Sequence, residues 1–275
     1  MVEAGIFKDS SKFLAWQAQA RNAGLMVTNF FPEPRKMDDW IQREVVSAVD
    51  GSEGCRLLVV KEDGFHRLFY AAADIDEAAN ACEAFQRQVD EVCVLDVVGP
   101  ETIQAATRIS FGRVGFAPYK TLTRMQRRKG VVSYDGNQMA VPRLATEADA
   151  IHIYGALHKY FDVRAEQLPC LEEVKGLCTN GSSYVAVVGS TVCSFLLGEV
   201  LGRKGTVRYW FTAPEGRGNG AGGVVMRAFL AHCLECGCSY QELWVIDDNE
   251  NAIKRYERYG FAFDRLKDSV YIKGA

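Results

Sequence analysis

The stretch Pro-Glu-Gly-Arg-Gly-Asn-Gly-Ala-Gly-Gly, residues 214–223, decides the fold of the C-terminal half of this chain. It follows a segment typical of a β-strand, residues 207–212, and precedes an apolar run with helical spacing, residues 224–236. A strand, a glycine loop and a helix in this order present free backbone N–H groups at the positive end of the helix dipole. Glycines also let the backbone approach a phosphate with no Cβ in the way. The stretch therefore predicts a phosphate-binding loop.

Several classes of phosphate-binding protein share this arrangement, so the details of the loop must discriminate. A Walker loop is excluded because no Lys-Ser or Lys-Thr pair follows the glycines. A dinucleotide-binding fingerprint needs an acidic residue after the next strand, and Asp247 satisfies that spacing. That fingerprint, however, is expected near the start of a parallel sheet. A glycine-rich turn that binds nothing is the remaining alternative.

The loop contains a pattern of an arginine, two residues, a glycine, one residue and a small residue, formed by Arg217, Gly220 and Gly222. Pro214 stands three residues before the arginine. This segment resembles the pyrophosphate-binding segment of the GNAT superfamily of acetyltransferases.

A second segment downstream strengthens the resemblance. The family pattern Asn-x-x-Ala-x-x-Leu-Tyr-x-x-x-Gly-Phe is matched at every named position but one, where Arg255 replaces the usual apolar residue. The matching residues are Asn249, Ala252, Tyr256, Gly260 and Phe261. Both segments occur in the expected order, so the resemblance covers residues 139–275, which is half of the chain.

The resemblance implies a fold, a co-substrate and a set of site residues. The fold is α/β, with a mixed sheet, and the co-substrate is acetyl-CoA. The backbone amides implied to hold the coenzyme A pyrophosphate are those of Arg217, Gly218, Asn219, Gly220, Ala221 and Gly222. Phe211 and Thr212 are implied to pair through their backbones with the pantetheine arm, and Asn249 to bond near it. Tyr256 is implied to lie by the thioester sulfur as the general acid.

Acyl transfer to an amine needs a proton acceptor as well as an acid. Glu199, at the end of a predicted hairpin strand, is the first candidate base, although its position equally suits a solvent-exposed hairpin residue. His158, Tyr160 and Asp162 lie where this family builds its acceptor site, and each also suits packing or a solvated surface. Tyr256 itself has an alternative role as a core aromatic.

The N-terminal half repeats the element order of the C-terminal half. Aligning Gly115 with Gly260 places Phe111 opposite Tyr256 and Gln104 opposite Asn249. Phenylalanine cannot donate a proton, and the helix predicted after the first hairpin begins with the acidic run 74–77, where a pyrophosphate would be repelled. The sequence therefore predicts two GNAT-like domains in tandem, of which the N-terminal one is degenerate.

The expected domains are residues 1–130 and 138–275, joined by a glycine-containing linker at 130–138. The predicted function is transfer of an acetyl group from acetyl-CoA to an amine of a small molecule or peptide, by direct attack in a ternary complex. Two alternatives stay open. One is a coenzyme A-binding sensor or interaction module without turnover, and the other is a transferase for longer acyl chains.

Composition argues against other partners. The net charge of −3 and a single dense basic run, residues 124–129, do not favour nucleic acid, and that run is interpreted as a solvated linker end. No apolar stretch reaches the length that spans a bilayer, and the N-terminus lacks the apolar core of a signal peptide, so the expected compartment is the cytoplasm. The sequence does not predict an oligomeric state.

The nine cysteines are an odd number, which suggests reduced thiols. Residues 232–238 contain one histidine and three cysteines, but no second pair lies at metal-binding spacing. The sequence therefore predicts packing roles for these cysteines and no metal site.

Overall fold

The structure, a computed structural model, describes residues 5–6, 18, 22, 27–30, 34–52, 54–128, 130, 140–189 and 191–274. Its α-helices are α1 (Pro34–Gln42), α2 (Ile75–Gln86), α3 (Glu101–Arg113), α4 (Ala150–Tyr160), α5 (Leu171–Thr179), α6 (Ala221–Glu235) and α7 (Glu250–Arg258). Its strands are β1 (Gly5–Ile6), β2 (Val27–Thr28), β3 (Val46–Ser52), β4 (Cys55–Glu62), β5 (Phe65–Ala72), β6 (Val92–Gly99), β7 (Ala117–Arg128), β8 (Val141–Leu144), β9 (Tyr184–Val188), β10 (Thr191–Leu201), β11 (Lys204–Thr212), β12 (Tyr240–Ile246) and β13 (Ala262–Lys273). Within these residues, no helix is both long enough and apolar enough to cross a membrane.

The chain divides into two compact units. Unit 1 comprises Met1–Leu122 together with Arg265–Ala275, and unit 2 comprises Thr123–Asp264. The last residues of the chain thus belong to unit 1, because β13 pairs with β6 from Lys267 opposite Gly99 to Lys273 opposite Cys93. The domain boundaries inferred from the sequence follow the order of the motifs, whereas the two units are defined by spatial contacts. The sequence-based boundaries therefore stay a prediction.

Unit 1 is a mixed sheet in the order β1-β3-β4-β5-β6-β13, with β2 paired to β5. All eight residues of β5 are buried, which explains its nearly continuous apolar run. Helix α2 begins where the Asp74 carboxylate accepts a hydrogen bond from the Glu77 N–H. The buried alanines and cysteine of α2 pack against the sheet with Phe111 and Tyr271.

Unit 2 is a mixed sheet in the order β7-β12-β11-β10-β9-β8, with a core on each face. Side chains alternate between the two faces along β10, so that Leu196 packs with α6 and Tyr256 while Phe195 and Leu197 pack with α4 and α5. A short 3-10 turn with Thr146 as its N-cap precedes α4, and the Thr146 N–H donates to the Asp149 carboxylate in a capping box.

The structure corrects the interpretation of the basic run, whereas the predicted linker lies almost entirely outside the described residues. The basic run at 124–129 is not a linker end, because residues up to Arg128 form β7. Arg124 in that run makes an ion pair with Asp264 at 2.6 Å, so its positive charge is balanced by a carboxylate within unit 2. The predicted linker at 130–138 falls outside the described residues except for Gly130.

Candidate functional site

The strands β11 and β12 separate in the middle of unit 2. They pair in parallel from Lys204 opposite Tyr240 to Val207 opposite Leu243, and their register ends there although both strands continue. On its other edge, β11 stays paired with β10 as far as Thr212. Within the described residues, no strand takes the place of β12 beside residues 208–212. This part of β11 therefore offers a backbone edge to an extended ligand.

A β-bulge marks the point of separation. Leu197 faces Tyr209 and Gly198 faces Val207, so Arg208 is the extra residue on β11. The bulge changes which face the following side chains reach, since Val207 packs in the core beside α6 whereas Tyr209 packs in the core beside α4. Bulges of this kind re-aim side chains next to functional sites.

The glycine loop joins the end of β11 to α6. Gly218 and Gly220 adopt positive φ angles of 82° and 74°, a region that favours glycine. Gly220 is the N-cap, and α6 begins at Ala221. The helix start predicted at Val224 is therefore wrong by three residues, because the left-handed turn at Gly220 already ends the loop and lets the following glycines enter the first helical turn.

Close packing fixes the first turn of α6 against β11. A Cβ added to Gly222 would lie 2.5 Å from the Thr212 Oγ1, so only glycine fits there. The Trp210 Nε1–H donates a hydrogen bond to the Gly222 carbonyl at 3.1 Å. The Ser194 hydroxyl donates to the Phe211 carbonyl at 2.6 Å and lies 3.0 Å from the Thr212 Oγ1. The predicted loop residues and the two predicted β11 residues are thus brought together at one place.

A cavity of about 620 Å³ opens over the first turn of α6. Four arginines line it together with the glycine loop, Trp210 and Tyr259. These arginines are Arg217, Arg227, Arg255 and Arg258. Their charges add to the helix N-terminus and make the cavity a site for a multiply charged anion.

The departure at Arg255 from the family pattern has a structural explanation, because its side chain lines this cavity. Among the four arginines, the sequence predicts a phosphate-binding role only for Arg217. The positions of Arg255 and Arg258, one helical turn apart on α7, are a signal that could have revealed the others.

Tyr256 is buried on the α6 face of the sheet, with its ring 5.4 Å from that of Trp210 and 6.0 Å from that of Phe261. Burial raises the pKa of its hydroxyl well above the usual value, and the Glu166 carboxylate raises it further, whereas Arg255 opposes the shift. The hydroxyl is therefore a protonated donor at neutral pH.

The two other predicted polar residues have structural partners. Asn249 is the N-cap of α7, and its Oδ1 accepts a hydrogen bond from the Ala252 N–H at 3.2 Å. Glu199 forms an ion pair with Arg208 at 3.0 Å. Glu199 lies opposite Thr206, in the part of β11 that is still paired with β12, rather than beside residues 208–212. The site roles predicted for both residues stay predictions.

Glu166, which no sequence motif indicates, lies in the turn after α4. Its Oε2 accepts a hydrogen bond from the Asp162 N–H at 2.9 Å. The Tyr209 hydroxyl donates to the Glu166 and Gln167 carbonyls, each at 3.2 Å, and so ties this turn to β11. Burial raises the pKa of the Glu166 carboxyl to about 7, and the Asp162 carboxylate adds to the shift. No sequence signal revealed this residue, because its properties come from burial.

The acceptor-side candidates divide into two groups. Tyr160 stacks on Phe211 with ring centroids 4.7 Å apart, and Phe161 contacts the same ring at 6.2 Å, so these aromatics cover the end of β11. His158 instead contacts Tyr154, one turn earlier on α4, at 4.3 Å. Tyr160 is the candidate that the structure brings to the β11 edge.

In unit 1, the place that corresponds to the β11–β12 gap is filled by the chain itself. Strands β5 and β6 pair in parallel only from Phe65 opposite Val92 to Arg67 opposite Val94. Beyond that point, β2 pairs with β5 at Ala71 and Ala72. This is the edge of β5 away from β4, because β4 pairs with the same two alanines on the other edge.

Asn29, directly after β2, bridges the two separated strands. Its Nδ2 donates to the Leu68 carbonyl of β5 at 3.0 Å and to the Asp96 carbonyl of β6 at 2.9 Å. Its Oδ1 accepts from the Tyr70 N–H at 2.7 Å. Residues 27–30 thus occupy the strand edge to which a ligand would otherwise pair.

We expect Asn29→Ala to lower the free energy of unfolding by about 3 kcal/mol or more, because one buried N–H and two buried carbonyls lose their partner. The measurement is urea unfolding followed by circular dichroism. Asn251→Ala, at an exposed position of α7, is the control and should change the value by less than about 0.5 kcal/mol. Equal stability of the two variants would contradict the bridging role of Asn29.

Comparisons with known proteins agree with this geometry. Residues 149–261 match the family model described as the acetyltransferase (GNAT) family. A GCN5-related N-acetyltransferase from Sphaerobacter thermophilus is similar in structure, with a TM-score of 0.61 and 14% identity over 88% of this chain and 87% of that one. A tandem GNAT protein from the clavulanic acid biosynthesis pathway has a TM-score of 0.56 and 13% identity over 83% and 82% of the two chains. A GNAT-family acetyltransferase from Colwellia psychrerythraea has a TM-score of 0.58 and 11% identity over the full length of both.

At these identities, the similar structures establish the fold, and they confirm the predicted class of a mixed α/β chain with two GNAT-like halves in tandem. None of the curated proteins matches the chain significantly in sequence.

Proposed function

Residues 149–261 belong to the acetyltransferase (GNAT) family, and from that premise we propose that unit 2 transfers an acetyl group from acetyl-CoA to a primary amine of a small molecule or peptide. The observation that carries the proposal is the continuity between two features of unit 2. The edge of β11 at residues 209–212, beside which the described part of the chain places no strand, runs directly into the glycine loop and the basic cavity over α6.

Each part of acetyl-CoA has a matching surface in this arrangement. The pantetheine arm carries amide groups, which suit the backbone edge of β11 at Phe211 and Thr212, where the described residues supply no neighbouring strand. The pyrophosphate suits the N-terminal amides of α6 after Gly220, together with the four arginines that line the cavity. Asn249 is proposed to bond near the pantetheine from the start of α7.

Tyr256 is proposed as the general acid. When the amine nitrogen bonds to the acetyl carbon, the carbon–sulfur bond breaks and its electron pair stays on sulfur. The Tyr256 hydroxyl then supplies the proton that converts the thiolate to the thiol. Its burial beside Trp210 keeps it protonated before the transfer, since burial and Glu166 both raise its pKa.

Unit 1 is proposed to bind no second molecule of acetyl-CoA. Residues 27–30 already pair with the separated edge of β5, and Asn29 joins β5 to β6. Phe111 is fully buried against Tyr271 and has no hydroxyl to donate. The helix that follows β5 begins with the acidic Asp76 and Glu77, which repel a pyrophosphate.

The test is transfer from acetyl-CoA to a panel of primary amines, namely amino sugars, aminoglycosides, polyamines, amino acids and peptide N-termini. The acetylated products are identified by mass spectrometry, because the exposed Cys236 thiol would react with reagents that detect free coenzyme A. Parallel reactions with propionyl-CoA and octanoyl-CoA test longer acyl chains. We expect an acetylated amine to form in proportion to the enzyme. Binding of acetyl-CoA without transfer to any member of the panel would favour a non-catalytic sensor instead.

A further inference from the structure

We propose that Glu166 is the general base of this reaction and takes the proton from the attacking amine. This inference rests on the proposed acetyl transfer and deepens it, because it assigns a catalytic role to a residue outside both sequence motifs. It also defines the acceptor as an amine that arrives as an ammonium ion beside a carboxylate.

The turn after α4 holds the Glu166 carboxylate in a fixed position. The Asp162 carboxylate accepts hydrogen bonds from the N–H groups of Arg164 and Ala165, at 2.9 and 3.1 Å, and so shapes the turn. The Asp162 N–H in turn donates to the Glu166 Oε2. The other carboxylate oxygen, Oε1, has no hydrogen bond to a side chain or backbone group in the described part of the chain. One oxygen thus orients the group while the other can accept a proton.

Glu166 and Tyr256 lie on opposite faces of the sheet. The Glu166 carbonyl accepts a hydrogen bond from the Tyr209 hydroxyl, and Tyr209 packs in the core beside α4. Tyr256 instead packs with Trp210 in the core beside α6. The Glu166 carboxylate nevertheless raises the pKa of the Tyr256 hydroxyl. Strand β12 leaves β11 after Val207, next to Tyr209 and Trp210, the two β11 residues that contact Glu166 and Tyr256 respectively. A base and an acid on the two sides of this gap are the arrangement that direct transfer requires.

The protonation behaviour of Glu166 suits this role. Its pKa of about 7 means that the carboxylate forms at neutral pH and still binds a proton well. Burial is the main cause of the shift. The titratable groups that interact with it are Asp162 in the same turn, Tyr209 on β11 and Tyr256 on α7. Both tyrosines remain neutral in this range, because burial raises the pKa of each hydroxyl.

The proton transfers balance across the reaction. The ammonium form of the acceptor gives one proton to Glu166, directly or through a water, and the nitrogen lone pair forms the bond to the acetyl carbon. The carbon–sulfur bond breaks, and Tyr256 gives one proton to the departing sulfur. Neutralising Glu166 removes the charge that raised the pKa of Tyr256, so deprotonation of the amine makes Tyr256 a stronger acid. The acetylated nitrogen still carries two protons, and it gives one of them through solvent to the Tyr256 phenolate. Glu166 releases its proton to solvent, which restores both groups.

The experiment compares Glu166→Gln with wild type over pH 5.5–9, using the amine identified in the panel. Glutamine keeps a carbonyl oxygen for the Asp162 N–H, so the turn is retained while the base is lost. We expect kcat to fall by about 10²–10⁴-fold. In wild type, kcat/KM should level off above about pH 7 and fall below it, because Glu166 is then protonated. This break near pH 7 should be absent from Glu166→Gln, in which kcat/KM should follow the neutral fraction of the amine over the whole range. Glu166→Asp should recover part of the rate. Glu172→Gln, on the exposed face of α5, is the matched control and should behave as wild type.

Acetyl-CoA titration of the same variants separates this inference from the proposed function. The expected result is that Glu166→Gln binds acetyl-CoA as wild type does and loses only turnover. If wild type transfers acetyl groups but Glu166→Gln keeps the wild-type rate and pH profile, the assignment of Glu166 is overturned while the function stands. Loss of the pH dependence in Glu199→Gln alone would move the base to Glu199. If wild type bound no acetyl-CoA, the proposed function itself would fail.

Discussion

Replacing Tyr256 with phenylalanine is expected to lower kcat for acetyl transfer by about 10²–10⁴-fold, while the affinity for acetyl-CoA stays within about twofold of wild type. The ring of Tyr256 packs between Trp210 and Phe261, and phenylalanine preserves those contacts. The substitution removes only the hydroxyl that protonates the departing sulfur. The loss should therefore affect the chemical step and not the binding of the co-substrate.

Two measurements check this prediction, steady-state kinetics for kcat and isothermal titration for the dissociation constant of acetyl-CoA. Tyr240→Phe, at the start of β12, removes a hydroxyl at a position outside the site and serves as the control. A Tyr256→Phe enzyme with a kcat close to that of wild type would show that a water protonates the thiolate and that Tyr256 is only a core aromatic. Equal loss of binding and turnover would instead point to a packing defect.

Replacing Gly220 with valine is expected to weaken acetyl-CoA binding by about 100-fold or more. Gly220 has a φ of 74°, a conformation that a β-branched residue adopts only with strain. The substitution should therefore shift the start of α6 and turn its first N–H groups away from the pyrophosphate. Loss of two charge-assisted hydrogen bonds, each contributing about 1.5–3 kcal/mol, accounts for the expected change.

The same helix provides a matched control. Gly237, just past the C-terminal end of α6, has a φ of 73° and open space around its Cα, so Gly237→Val introduces the same backbone strain far from the loop. Titration with acetyl-CoA should show weakened binding for Gly220→Val only, although both variants should lose stability. Equal affinities for the two variants would contradict the role of the α6 N-terminus in binding.

The parts of the fold and site that could be predicted from the sequence are those with local signals. The loop at 214–223 combines backbone conformation, helix dipole and anion binding within ten residues, so its glycines predict the anion-binding site. The capping box at Thr146 and Asp149 is equally local. Helical propensity penalises glycine and so predicts a start of α6 that is too late, whereas close contact with Thr212 requires glycine at position 222 inside the helix.

The parts that could not be predicted depend on contacts between distant residues. Asn29 bonds to Leu68, 39 residues away, and to Asp96, 67 residues away, so no local pattern reveals that residues 27–30 fill the gap in unit 1. The pairing of β13 with β6 has the same origin, because an alternating strand pattern does not specify its partner. Glu166 was missed because burial in the folded chain, and not its sequence context, shifts its pKa.

Isothermal titration of the full chain with acetyl-CoA tests the central claim most directly, namely that unit 2 holds one working site and that unit 1 holds none. The predicted result is one molecule bound per chain, with binding strongly weakened by Gly220→Val and preserved in Tyr256→Phe. Two molecules per chain would contradict the filling of the unit 1 gap by residues 27–30. No binding of acetyl-CoA to wild type would contradict the assignment of acetyl-CoA as the acetyl donor.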